Sequence, residues 1–306
     1  MKYCPEGSLT GTALNSRYLS SPETLAEAME NGIILESRVT LCNSSHDLIV
    51  EFPCAEGVIP REEGAVGISD GKTRDIALIS RVNKPVCFKV KKLSTSPDGR
   101  LHAVLSRRDA QLDCLRNYIR QLSPGDIINA CVTHLEQFGA FVDIGCGIPS
   151  LIPIDAISVS RIAHPSDRFF CGQFIRAVVR SRDNDRVFLT HKELLGSWEE
   201  NASIFNAGET VPGIVRSVEE YGVFVELTPN LAGLAEIRDD VAPGQHVSVY
   251  IKAIIPDKMK VKLIIVDKCA PREPDRSMRY FISSDHISYW QYSTDGSGKF
   301  SGTDFR

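Results

Sequence analysis

No stretch of this chain approaches the roughly 18 apolar residues that a membrane-spanning helix needs. The opening Met1-Lys2-Tyr3-Cys4-Pro5-Glu6 also lacks the apolar core of a secretory signal. A soluble chain that stays in the cytoplasm, with no membrane partner, is the expectation. CxxC pairs are missing as well: nine cysteines, an odd number, run from Cys4 to Cys269 without the close Cys/His spacing of a structural zinc site. That usage suits a reduced compartment, and no metal is expected. There is no basic excess either, since 35 Lys+Arg face 39 Asp+Glu for a formal charge of −4. A whole-surface positive field that grips nucleic acid by charge alone is excluded, so any such grip has to be local.

Catalytic signals are equally thin. No Gly-rich phosphate loop precedes a helix, and His46, His102, His134, His164, His191, His246 and His286 have no partner at catalytic or ligand spacing. Cys146, between Gly145 and Gly147, reads as a small residue in an exposed turn. A chain that is not an enzyme and carries no cofactor is expected. What the sequence does have is 42% hydrophobic and 24% charged residues over 306 positions, enough for two or three ordinary folded domains.

Those domains show as repeats. Val132 to Ile144 lies over Val215 to Leu227 without a gap, and Ser150 to Ile154 falls on Gly233 to Ile237 in the same register. Both copies close with an alternating strand, Arg186-Val187-Phe188-Leu189 or Lys260-Val261-Lys262-Leu263, each three residues after Asp183 or Asp257. A weaker copy lies upstream, where Gly57 to Pro60 matches the Ser150 to Pro153 step and Val104 to Arg108 resembles Phe188 to Lys192. Each copy has about five short segments rich in Val, Ile and Phe, bounded by turn residues, which predicts a five-stranded antiparallel barrel.

The fold class is therefore all-β, with three tandem barrels joined by short amphipathic helices. The predicted order is an N-terminal segment 1–31 with a helix over 21–31, a degenerate repeat 32–108, a helical linker 109–122, a repeat 123–192, a helical linker 193–206, a repeat 207–268 and a tail 269–306. Ser21-Pro22 is the helix start, by capping and by proline at the first helical position. Ser158 to Phe170 reads as a polar insertion in the middle copy, a loop carrying a short helix. The tail is polar and rich in Gly and Ser apart from seven aromatics, Tyr280, Phe281, Tyr289, Trp290 and Tyr292 among them, which predicts a hairpin and then disorder over the last dozen residues.

The most informative motif is aromatic-Gly-x-Phe-Val-Asp/Glu, at Phe138 to Asp143 and again at Tyr221 to Glu226. Residues three apart on a regular strand face opposite ways, so Phe138 and Phe141, or Tyr221 and Phe224, share a face only through a bulge, which Gly139 and Gly222 would supply. Exposed, such rings form a stacking platform for unpaired bases. On the closing strands Arg186, Phe188, Lys260 and Lys262 alternate with core residues and point outward. Arg182, Lys258, His134 and Arg216 add polar and positive groups near the same face. The competing reading makes these aromatics core. It is weakened by two copies in register, each with the glycine and a basic closing strand.

In these residues the repeats resemble the S1-type RNA-binding domain of the OB-fold class, strongly over 124–268 and weakly over 32–108. The resemblance implies binding of single-stranded RNA on a patch of two aromatics, a histidine and an Asp/Arg pair. Here those are Phe138 and Phe141 with Asp183 and Arg186, then Tyr221 and Phe224 with Asp257 and Lys260. The histidine is replaced by Pro153 in one copy and by Glu236 in the other. The tandem arrangement is most similar to the bacterial ribosomal protein S1 family, in a short three-repeat form. That likeness implies messenger RNA as ligand and the small ribosomal subunit as partner, through residues 1–110, where Ser44-Ser45-His46-Asp47 stands in place of the platform. A scaffold that feeds RNA to a decay or transcription enzyme is the alternative.

Overall fold

The computed structural model describes residues 3–97, 99–270, 278–298 and 300–306. The chain forms two compact units. One holds the chain up to Leu122 together with Asn129–Cys131 and Asp143–Pro149, and the other holds Ser123–Ile128, Val132–Val142 and everything from Ser150.

In the first unit, α1 (Ala13–Tyr18) and α2 (Pro22–Glu30) precede a closed barrel of β1 (Leu35–Cys42), β2 (Leu48–Phe52), β3 (Ala55–Ile59), β4 (Pro85–Thr95) and β5 (Leu101–Ser106), with α3 (Ile76–Ile79) between β3 and β4. Strand order is β1-β2-β3-β5-β4, and β1 closes on β4. Alternation builds the core: Leu48, Val50, Ile59, Phe88 and Leu105 are fully buried. Ser21 caps α2 by accepting the Thr24 N–H, and Leu25 and Ala28 pack into that same barrel core. The apolar stripe of α2 thus covers its own barrel. The next helix, α4 (Arg107–Asn117), is shorter than the 109–122 expectation at its end, where a 3-10 turn takes over at Ile119–Gln121.

Cys146 is not in an exposed turn. It is 1% exposed, because the N-terminal segment covers it: the Cys146 N–H donates to the Cys4 carbonyl at 2.8 Å. Beside it, Asp143 accepts the N–H groups of Glu6 (2.6 Å), Gly145 (2.8 Å) and Gly147 (3.0 Å), and Glu6 grips Arg107 through Nε at 2.6 Å and Nη2 at 3.0 Å.

The middle barrel comprises β6 (Ile127–Glu136), β7 (Gly139–Asp143), β8 (Pro149–Pro153), β9 (Phe174–Asp183) and β10 (Arg186–Thr190), in the order β10-β8-β7-β6-β9. The segment expected as one helical linker, 193–206, is instead broken. A 3-10 turn at Lys192–Leu195 ends at Gly196 with φ +85°, and a capping box between Ser197 and Glu200 starts α5 (Trp198–Ala202). The last barrel is β11 (Thr210–Glu219), β12 (Gly222–Thr228), β13 (Leu231–Ala235), β14 (His246–Ile255) and β15 (Lys260–Lys268), ordered β11-β12-β13-β15-β14. All three barrels are five-stranded and closed, the arrangement of the OB fold.

Within the second unit, buried polar contacts tie the barrels together. Asn230 donates to the carbonyls of Lys192 and Gly196, both at 2.8 Å, and accepts the Val159 N–H at 2.9 Å. The tail returns across the same unit. Residues 271–277 lie outside the described residues, but residues 278–298 and 300–306 are described and include a hairpin of β16 (Tyr289–Gln291) and β17 (Gly302–Asp304). Disorder over the last dozen residues is therefore corrected: Phe305 is 7% exposed and packs with Ile127, Val178 and Leu194. Aromatic side chains hold a Gly/Ser-rich segment whose composition alone argues for disorder.

Candidate nucleic-acid interface

Phe138 stands in the turn between β6 and β7 rather than on a strand, so strand alternation does not govern it. Its ring is 56% exposed and meets the half-buried Phe141 edge-on, with centroids 5.8 Å apart. The imidazole of His134 lies beside Phe141 at 6.4 Å and pairs with Glu136 at 2.6 Å. The last barrel repeats the pattern. Glu219 pairs with Gly222 across a two-residue turn, leaving Tyr221 67% exposed and edge-on to Phe224 at 6.0 Å.

The glycines serve another purpose than the expected bulge. A Cβ on Gly139 would come within 2.5 Å of the Ile152 carbonyl oxygen, and one on Gly222, where φ is +149°, within 2.5 Å of the Ala235 oxygen. Both are glycine because the neighbouring strand's backbone lies against them. Between β11 and β12 the register shift sits on β11, between Val215 and Ser217.

Strand pairing places Ser217, Phe224, Leu234 and Lys262 side by side on β11, β12, β13 and β15. Neighbouring strands are about 4.8 Å apart, so the ammonium-bearing strand lies about 10 Å from the ring. The cleft there has a volume of about 570 Å³ and is lined by Tyr221, Phe224, Glu236, Lys252, Lys260 and Lys262 among others. Asp257 and Lys258 are exposed in the 3-10 turn that leads into β15. Lys252 was not anticipated, although alternation on β14, with Val249 and Ile251 buried, is the signal that turns it outward. In the middle barrel, Phe188 is 40% exposed opposite Leu151, and Arg186 lies across from Asp183 in the strand register at the exposed end of the β9–β10 hairpin, next to Arg182.

One expected residue faces away. The side chain of Arg216 is 12% exposed, and its Nε (2.7 Å) and Nη2 (3.1 Å) are both spent on Glu226, a carboxylate only 5% exposed that also pairs with Arg168. A guanidinium neutralised at that depth has no charge to offer a phosphate. In the first barrel, the turn equivalent to Phe138 is polar: Asn43 accepts the N–H groups of Ser45 and Asp47 at 2.9 and 2.8 Å. No Phe, Tyr or Trp ring stands there, and the His46 imidazole in that turn has its Nδ1 3.7 Å from the Asp75 carboxylate. Among the described residues, no three His, Cys, Asp or Glu side chains are placed to hold a metal ion.

Over residues 121–192 the chain matches a protein-family model. That segment is an S1 RNA-binding domain. Over most of its length the chain with this S1 domain is also homologous to small ribosomal subunit protein bS1. It is 29% identical to the protein from Staphylococcus aureus, covering 79% of this chain and 63% of that one, and 28% identical to that of Staphylococcus haemolyticus, covering 87% and 71%. The match thus spans less than two thirds of the length of the Staphylococcus aureus relative. Among solved structures, a multidomain protein with nucleic acid binding domains from Streptococcus pneumoniae aligns with 80% of this chain and 76% of its own at 13% identity and a TM-score of 0.26. GSP13 from Bacillus subtilis aligns with 23% of this chain and 55% of its own, at 19% identity and a TM-score of 0.22.

Proposed function

We propose that this chain is a non-catalytic, cytoplasmic protein of translation that binds single-stranded RNA and holds messenger at the small ribosomal subunit. The observation that carries this reading is the duplicated platform, in which an exposed turn aromatic meets a strand phenylalanine edge-on beside outward-facing cations. Stacking supplies sequence-tolerant affinity and the few lysines and arginines supply phosphate contacts, which is what a net negative chain needs to grip RNA locally.

Replacing Phe138 or Tyr221 by alanine is expected to cost about 1–3 kcal/mol of affinity for a single-stranded RNA. Thermal stability should hardly change, because both rings face water. Wild-type affinity with a lowered melting temperature would assign the rings to the fold instead. Salt dependence should be shallow, near −0.7 per phosphate neutralised in a log–log plot, since few cations line each face.

Docking to the subunit is assigned to residues 1–110, where the barrel lacks a platform. The α2 stripe is already used inside, whereas α3 offers Ile76 (65% exposed) and Ile79 (44% exposed) three apart on one side. The variant Ile76→Ser with Ile79→Ser is expected to keep RNA affinity and lose co-sedimentation with small ribosomal subunits. Undiminished co-sedimentation removes α3 from the docking surface, and a wild-type chain that never co-sediments points to the scaffold in RNA decay or transcription.

A further inference from the structure

The C-terminal hairpin carries a second kind of aromatic surface, outside all three barrels. On β16 the side chains alternate, with Trp290 buried (7% exposed) and Tyr289 turned outward (43%). Phe300, 68% exposed, lies nearly parallel to Tyr289, with ring centroids 6.3 Å apart and planes 22° apart. Over the Tyr289 ring sits the Arg306 guanidinium at 5.8 Å, held in place by Asp304 through Nε at 3.0 Å and Nη2 at 2.9 Å. A solvent-facing side of a hairpin is ordinarily polar. Here it presents two parallel rings and a carboxylate-oriented cation, the same ingredients as the barrel platforms in a different geometry.

Its position ties it to the last barrel. The hairpin's loop rests on the turn that carries Asp257 and Lys258: Thr294 Oγ1 donates to the Pro256 carbonyl at 3.0 Å, and Gly296 packs so closely on Asp257 that a Cβ there would lie 3.0 Å from its Oδ1. Phe300 follows Gly296 by four residues, so it lies within about 14 Å of that contact even for extended chain. The cleft of the last barrel ends at the same turn, through Met259 and Lys260. Asp257, Asp295 and Asp304 place negative charge nearby, so attraction of phosphate alone does not explain a ligand here, and the rings have to supply the recognition.

We propose that Tyr289, Phe300 and Arg306 form an accessory stacking site for an unpaired base of the same strand that occupies the last barrel, lengthening its track beyond the S1-type fold. This rests on the RNA-binding reading above, and the test separates the two. Full-length protein is titrated with oligouridine of about 4 and about 16 nucleotides, the short and long ends of what a small barrel holds. Phe300→Ala and Tyr289→Ala are expected to weaken the longer oligomer roughly fivefold to a hundredfold and to leave the shorter one unchanged. Phe300→Leu should behave like the alanine variant, because an aliphatic side chain fills space without offering a stacking face. A photoreactive oligouridine should also crosslink the wild-type chain at Tyr289 or Phe300, which reads the site even if a variant folds poorly. Loss with Tyr221→Ala but wild-type affinity in Phe300→Ala, no crosslink, or full rescue by leucine overturns the accessory site and leaves the barrel reading intact. No loss with Tyr221→Ala overturns the barrel reading itself.

Discussion

Alanine in place of Glu226 should destabilise the second unit by about 3–5 kcal/mol, the cost of leaving a buried charge without its partner. Glu226 is 5% exposed and is shared by two guanidinium groups, Arg168 and Arg216, whose side chains are 6% and 12% exposed. Burial and the neighbouring Arg216 hold the Arg168 pKa below its ordinary value, so the carboxylate is what keeps both cations tolerable there. Removing it leaves two like charges facing each other in a dry site, with only Asp167 at 3.3 Å from Arg216 to answer them. The two tryptophans of the chain, Trp198 and Trp290, are both buried in this unit, at 2% and 7% exposure, so their fluorescence follows its denaturant unfolding directly. A companion variant in which Arg168, Arg216 and Glu226 all become apolar residues of similar volume should recover most of the loss, because a packed apolar cluster carries no desolvation cost. A loss under about 1 kcal/mol for the single variant would mean that water reaches the cluster and that the triad contributes little to the joint between the two barrels.

That triad also marks where reading the chain reaches its limit. The barrels were legible because a period of two survives in strands such as β2, β13 and β15, and the platform aromatics were legible because their motif occurs twice in register. Arg216 belongs to the same strand and carries the same charge as a phosphate contact would. Only the fold reveals that it meets Glu226 ten residues on and that Arg168 arrives from the polar insertion of the preceding repeat. The glycines were found but given the wrong cause, since a strand's own pattern does not show how closely the next backbone passes. Tyr280, Trp290, Tyr292 and Phe305 were visible as aromatics, yet nothing local states that Tyr292 Oη donates to the Asn230 carbonyl at 2.8 Å or that Phe305 fills a gap beside Ile127. Cys146 failed for the same reason, because the segment that covers it is some 140 residues away in the chain. Contacts of long sequence separation, more than propensity, set what remained hidden.

Acid should weaken the second unit through His191. This imidazole is fully buried, and its Nδ1 lies 3.0 Å from the Ile157 carbonyl, a partner that can only accept, so the proton sits on Nδ1. Nε2 is then free to accept the Tyr280 hydroxyl at 3.3 Å, and that oxygen in turn receives the Arg176 N–H at 3.1 Å. Phe169 packs edge-on at 5.0 Å on the ring. Desolvation, with a smaller push from Arg168, lowers the His191 pKa to about 4, against about 6.5 in an unfolded chain. Between those values the unfolded state holds a proton that the folded state refuses. Stability is therefore whole above pH 6.5 and is lost as pH falls toward 4, by about 3 kcal/mol in total. Protonation would also set an Nε2–H against the Tyr280 hydroxyl and loosen the start of the returning tail. Other carboxylates and histidines titrate across the same range, so the measured quantity is the difference between wild type and His191→Gln, which has no titrating group but can still pair with Ile157 and Tyr280. The variant should be less stable at pH 7, and the gap should close as pH drops from 6.5 to 4. Parallel pH profiles for the two proteins would mean that water enters beside His191 and that the imidazole ionises there without cost.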